Sequence, residues 1–422
     1  DYETGVIREI GTPVDMFCAG HAFLQDGRLL VAGGNKQYPG PTGPFQGLRD
    51  AFVFDPITEQ WRRVATMAGG RWYPTLVTLP DGRIITFTGV RDNADEPFGA
   101  DDLNNIPEIY AEPNGEPGNW TALPTRDIYP MYSHIFLMQD GRLFYSGGYQ
   151  GFNTLSPRIY NYNNNTTQLV PGLRNINTRG EPISVMLPPV QDQRVLVAGG
   201  GDPTTNATDI INLKAANPAY APAAPINYAR MHGLGVVLPD RTVLICGGSQ
   251  TPQDPATATL YSEIFNPVTN TWSIAAKNFW PRLYHTVALL LPDGRVVLSG
   301  GNPTGYQELR LEVYRPPYMF KPNRPTYGAA FQNTLAYGSI IGIPTPQSQQ
   351  IQYVSLLKPM ANTHTLETGQ RLIDLQIVSR ATPGYIHAQL ANDRNLTPPG
   401  WYMLFIVDNR GVPSMGHWLR VY

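Results

Sequence analysis

The chain has 422 residues, a formal net charge of -2 at pH 7, only 15% charged residues, and 41 glycines with 40 prolines. A charge so nearly balanced gives no field to gather nucleic acid or an anionic membrane, and no apolar run reaches the roughly 20 residues that span a bilayer. The two cysteines, Cys18 and Cys246, are too few for a disulfide framework.

Few charges with much Gly and Pro favour short strands joined by turns, and the repeat structure bears that out in chain order. An apolar strand, a turn usually reading Asp-Gly-Arg, a second apolar strand and a terminal Gly or Gly-Gly return six times. The copies are HAFLQDGRLLVAGG, YPTLVTLPDGRIITFTG, HIFLMQDGRLFYSGG, SVMLPPVQDQRVLVAGG, LGVVLPDRTVLICGG and HTVALLLPDGRVVLSGG, ending at Gly34, Gly89, Gly148, Gly200, Gly248 and Gly301. Successive endings lie 48 to 59 residues apart. The Asp-Gly turn supplies the positive-φ positions of a tight hairpin, and the closing glycines let backbones crowd together. Between copies come segments with an aromatic ending, AFVFDPITEQW, EIYAEPNGEPGNW and EIFNPVTNTW, whose Trp can pack between neighbouring sheets. This is a kelch-type pattern with a period of about 50 residues, and it predicts a β-propeller, because one blade cannot bury both of its faces.

After Gly301 the repeat stops, and RPPYMFKPNRP at 315–325 reads as a stiff connector. Beyond it, SIIGIP, IQYVSLL, RLIDLQIV, YIHAQL and WYMLFIV are short and apolar, as in a seven-stranded sandwich of about 100 residues. The chain opens at Asp1 without a charged and apolar leader, so a secreted form is expected to have lost its signal. Sequons at Asn119, Asn164, Asn165, Asn206 and Asn395 would suit such a protein.

Chemistry in a propeller belongs where inner-strand ends and loops converge on the central channel. Cys18 in DMFCAGH, Tyr73 in GRWYPT, and the pair Tyr284 and His285 in PRLYHT stand just before inner strands; His364 in ANTHT lies on a loop of the second domain. Taken singly, each has a structural explanation: a small buried thiol, a packed tyrosine, a hydrogen-bonded histidine. Cys246, inside an apolar strand, keeps that explanation, as do His21, His134, His232, His387 and His417, although His134 and His232 could line the channel.

The contexts together, from DMFCAGH through PRLYHTVALLLPDGRVVLSGGNP and ANTHTLETGQR to PGWYMLFIVDNRGVPS, resemble the copper radical oxidases, the family of galactose oxidase and glyoxal oxidase. The resemblance implies a seven-bladed propeller over 1–318 and an immunoglobulin-like sandwich over 319–422 that contributes one copper ligand. It implies a single copper held by Tyr73, Tyr284, His285 and His364, with the Cys18 sulfur bonded to the Tyr73 ring as a radical cofactor. The implied reaction oxidises a small primary alcohol or aldehyde with oxygen, Tyr284 acting as base and the Tyr73 radical taking a hydrogen atom, and releases hydrogen peroxide outside the cell. The physical logic is sound: alcohol oxidation removes two electrons and one copper ion accepts one, so a second redox centre is needed. Tyr284 and His285 are neighbours that would point to opposite faces of a regular strand; sharing a metal requires irregular chain there, and Pro281 makes that plausible.

Two departures stand out. The galactose oxidase branch carries a Trp after the radical tyrosine's hairpin, whereas TGVRDNADEP has none, which places the chain nearer the glyoxal oxidase branch and leaves shielding to Trp72 or another aromatic. The copy with the cysteine is the family's second, and DYETGVIREI resembles the outer strand of a first blade whose inner strands are missing. An upstream segment is therefore expected either to have been cleaved and kept as a separate N-terminal chain completing that blade, or to have been lost or left unresolved. The competing reading is a non-catalytic propeller that binds protein or carbohydrate.

Overall fold

The computed structural model describes residues 3–96, 99–113, 117–151, 155–303, 305 and 307–422. Each copy of the repeat closes an antiparallel hairpin, as where Gly20 faces Ala32 and Phe23 faces Leu29. The turns hold Gly27, Gly82, Gly141 and Gly294 at φ 99°, 85°, 83° and 88°. Where the fourth and fifth copies lack that glycine, Gln193 and Arg241 take the left-handed conformation themselves, at φ 53° and 70°.

Two outer strands extend each hairpin. The first blade runs Gly20–Phe23, Leu29–Ala32, Ala51–Asp55 and Gln60–Arg63, in that order across the sheet. Blades of the same build follow from the innermost strands Thr75–Thr78, Ile135–Leu137, Ile183–Met186, Leu234–Val237 and Thr286–Leu290. The sixth has three strands, ending at Glu312–Tyr314. Six copies supply strands for six sheets, so the described residues form six blades rather than the family's seven, and residues 5–12 form no strand.

Consecutive blades share apolar cores. Leu30 and Val53 meet Leu76 and Ile84 between the first and second, and Ile85 meets Ile135 and Leu143 between the second and third. Each such side chain contributes about 1.5–3 kcal/mol on burial. The outer tryptophans work as the aromatic endings suggested: Trp120 Nε1 donates to Ala65 O and Trp272 Nε1 to Ala224 O, both at 2.8 Å, tying a blade to the outer edge of the one before it. Trp61 holds the same place in the first blade, yet its Nε1 is buried with no partner. On the sixth blade Ala288, Leu290 and Leu298 are buried against the fifth, while Val287 and Val297, on the other face, are only half-buried. Among the described residues no buried apolar cluster joins the sheets of the sixth and first blades.

The C-terminal sandwich has one hydrogen-bonded order: Thr334–Leu335, His417–Val421, Gly400–Asp408, Ile351–Leu357, Leu372–Ser379, Tyr385–Gln389, Ile340–Pro344. It curls so that Leu335, Ile341, Leu356, Leu375 and Leu404 fill one core, continuous with Val195 and Ile211 of the fourth blade. No helix is long and apolar enough to cross a membrane.

The loop 358–371 leaves this sandwich and enters the channel as an axle. Asn362 Nδ2 donates to Ala288 O at 2.6 Å, Thr368 Oγ1 to Leu76 O at 2.8 Å, and Gln370 exchanges bonds with Val237 N and O at 2.8 and 3.1 Å. His21 Nε2 meets Asn362 O at 3.3 Å and His134 Nε2 meets Thr365 Oγ1 at 3.2 Å. Inner strands of four blades, and His134 beside the inner strand of the third, thus hold one loop in a single place. His21 and His134 serve that anchoring.

Candidate metal centre

Each blade places a non-glycine residue with positive φ one to three residues before its inner strand: Cys18 (59°), Tyr73 (65°), Tyr132 (43°), Glu181 (55°), His232 (58°) and His285 (63°). His364, on the axle loop, is at φ 55°. The left-handed turn breaks strand alternation, which is how Tyr284 and His285 both face the channel. A buried arginine braces four of these turns. Arg71 reaches Thr88 O and Glu108, Arg179 reaches Val197 O and Asp209, Arg230 reaches Gly247 O and Glu263, and Arg282 reaches Gly300 O and Glu312. Each arginine stands two or three residues before the channel residue it supports.

The side chains gather at the channel mouth. Cys18 Sγ lies 4.0 Å from His285 Nε2 and 4.0 Å from His364 Nε2, and the three donor atoms fall within 4.8 Å of one another. Tyr73 and Tyr284 touch through their hydroxyls, Tyr73 Oη lies 3.2 Å from His364 Nε2, and the Cys18 thiol is a hydrogen-bond neighbour of Tyr73. His285 Nδ1 is engaged by Asn302 and His364 Nδ1 by Thr363 Oγ1 at 2.8 Å, so both Nε2 atoms are left for the shared point. Outer partners that fix an imidazole in this way are the habit of metal sites.

Burial sets the protonation states. It pushes the Cys18 thiol up to about 12 and raises the Tyr73 and Tyr284 phenols, with the neighbouring phenol and thiol adding to Tyr73. It lowers His285, and lowers His364 well below the usual imidazole range, with the nearby histidines adding to the effect. Two neutral imidazoles beside phenols that ionise only with a cation at hand make a receptive donor set.

Aromatic rings wall the site. Trp72 meets Tyr73 edge-on at 4.1 Å between centroids, Phe45 stacks on Trp72 at 3.9 Å and 11°, and Tyr132 lies 4.5 Å from Tyr73 on the other side. A cavity of ≈ 460 Å³ lined by Phe17, Cys18, His285, Asn302 and His364 opens it to solvent.

Tyr132, Glu181 and His232 were not among the sequence-derived site residues, His232 only as a possible channel lining. For Glu181 and His232 the signal is the arginine two positions earlier in TRGEP and ARMHG, as in GRWYP; Tyr132, preceded by Pro130 and Met131, carries none. Burial raises Glu181 to about 8 and lowers His232 to about 3. Cys246 is fully buried and distant in role, with its sulfur on Leu234 O at 3.9 Å.

Comparison with known proteins follows the same division of the chain. The glyoxal oxidase N-terminus model matches residues 1–318, and the galactose oxidase-like early set domain model matches residues 315–421. Galactose oxidase of Gibberella zeae is 27% identical over 463 residues, covering 100% of this chain and 63% of that protein. Aldehyde oxidase GLOX1 of Arabidopsis thaliana is 27% identical over 474 residues, covering 100% of this chain and 74% of its own. A solved fungal alcohol oxidase of the AA5 family, in complex with copper, superposes with TM-score 0.82 at 22% identity, covering 100% of this chain and 89% of that one, which establishes the shared fold. The chain thus spans less than two thirds of the galactose oxidase it matches. With family models matching both its propeller and its sandwich, it belongs to the glyoxal oxidase and galactose oxidase-like family.

Proposed function

We propose that the protein is a secreted copper radical oxidase, oxidising a small primary alcohol or aldehyde with oxygen and releasing hydrogen peroxide. The observation that carries this is the meeting of Cys18, Tyr73, Tyr284, His285 and His364, drawn from three blades and the axle loop, around one point. Two oriented imidazoles and two phenols are donors of the kind that would suit Cu(II). Tyr73, Tyr284, His285 and His364 would hold the ion, which when bound supplies a one-electron partner and a charge that favours ionised phenols.

The chain's own residues supply the rest. Tyr284 Oη, as phenolate, takes the proton of the substrate hydroxyl. Tyr73 and Cys18 would supply the second redox centre: a bond from the Cys18 sulfur to a ring carbon of Tyr73 would donate electron density and spread an unpaired spin. Tyr73, so modified, would take the hydrogen atom from the substrate carbon. Two electrons and two protons pass to oxygen, giving one hydrogen peroxide per carbonyl formed. The Trp72–Phe45 stack covers the Tyr73 ring against water, in place of the tryptophan missing from TGVRDNADEP. Loading copper under oxygen and digesting the protein is expected to yield one peptide joining Cys18 to Tyr73, lighter than the sum of its parts by two hydrogens. Two separate peptides, with no peroxide formed, would sink the reading.

The partner reading follows from the open faces. A further blade, on a separate N-terminal chain, fits between the sixth and first blades. Support comes from the half-buried Val287 and Val297, and from Trp61 Nε1, which lacks the carbonyl that a preceding blade gives to Trp120 and Trp272. A preparation with full oxidase activity is expected to release, on denaturation, a second polypeptide of about 50 residues. Full activity in a preparation holding this chain alone would overturn it.

A further inference from the structure

Beside the five residues of the metal centre lies a second polar cluster that the reaction above does not use. Glu181 and His232 occupy the left-handed positions of the fourth and fifth blades. The Glu181 carboxyl engages His232 Nδ1, and Gln150 Nε2 donates to Glu181 Oε1 at 2.5 Å. The His232 imidazole stands edge-on to the Tyr284 ring, 5.3 Å between centroids and tilted by 65°. His232 is 4% exposed, and with Nδ1 committed its Nε2 is buried without any protein partner. A buried polar atom left unsatisfied in this way calls for an explanation, and its place beside the proposed base calls for one in terms of substrate.

The two substrate classes of the oxidase reading differ in one feature. A primary alcohol brings one oxygen to the reacting carbon. An aldehyde has no hydroxyl proton to give up until it is hydrated, and its hydrate, RCH(OH)2, brings two. Resting on the oxidase reading, we propose that His232, held by Glu181, binds the second hydroxyl of an aldehyde hydrate through Nε2 and selects hydrates over simple alcohols. One hydroxyl loses its proton to Tyr284, the carbon loses its hydrogen atom to Tyr73, and the hydroxyl on His232 stays as the OH of the product acid. The balance is RCH(OH)2 + O2 giving RCOOH + H2O2. A site that hydrogen-bonds a substrate hydroxyl discriminates well against the analogue lacking it, because its own buried group is then left bare.

Chloral hydrate and trichloroethanol test this, since they differ by the second hydroxyl alone. Ligand-observed proton NMR titrations of the copper-loaded protein are expected to favour chloral hydrate, and His232→Phe to reduce that preference by about tenfold. His232→Gln, which keeps a polar atom in place, is expected to restore most of it. Glu181→Gln, which leaves the imidazole but loosens it, should give a smaller loss in the same direction and serves if His232→Phe does not fold. The same preference in all variants as in the wild type, or none in the wild type, overturns the proposal. Selective binding of chloral hydrate by a protein that yields no peroxide from any aldehyde or alcohol supports the subsite and sinks the oxidase reading instead.

Discussion

Replacing Cys18 by Ala is expected to cut peroxide output by about a thousandfold or more while copper stays bound. The loss corresponds to about 4 kcal/mol of barrier, the order expected when Tyr73 is left as an ordinary phenol without the electron-donating sulfur. The substitution removes one buried atom from a tight loop, and the four residues proposed to hold the metal are untouched. The thiol's own chemistry sharpens the test. Cys18 Sγ sits close enough to both imidazoles to be a ligand itself, so retention or loss of copper separates the two roles of the sulfur. Copper retention with lost radical absorption therefore fits the thioether. Loss of copper in Cys18→Ala would make the sulfur a metal ligand and remove the radical mechanism.

His364→Ala is expected to lower copper affinity by more than about a hundredfold. Outer-shell partners of metal ligands are worth 10- to 100-fold, so a direct ligand must exceed that range. The fold should survive, because Asn362, Thr365, Thr368 and Gln370 still fasten the axle loop to the blades. Isothermal titration with copper and circular dichroism together separate the two effects. Unchanged affinity in a folded variant would remove His364 from the metal and with it the role proposed for the sandwich.

Much of the fold is legible in the sequence because its information is local. An Asp-Gly turn between two apolar runs specifies a hairpin wherever it occurs, and six hairpins have to stack. The tryptophans of EPGNW and TNTW advertise an edge that docks on a neighbour, and the indole bonds to Ala65 and Ala224 realise it. The five residues proposed for the metal centre are singled out only by whole motifs, since a lone Cys or His carries no such message. Tyr132, Glu181 and His232 escaped because equivalence in a propeller mouth is one of backbone conformation. Four kinds of side chain (Cys, Tyr, Glu and His) occupy the same left-handed turn across six blades, and only the bracing arginines repeat visibly. The gap between the sixth and first blades is legible from the count of six copies and from DYETGVIREI, although a strand that lacks a neighbour is written like one that has it.

The axle loop has a consequence for biosynthesis. A ribosome makes the thiol and both phenols long before it makes the last imidazole, which arrives with a sandwich that must fold before its loop can enter the channel. A polypeptide that stops short of His364 therefore lacks one of the four proposed donors, and the proposed centre stays disarmed until the sandwich loop has been made, the final peg acting as its interlock.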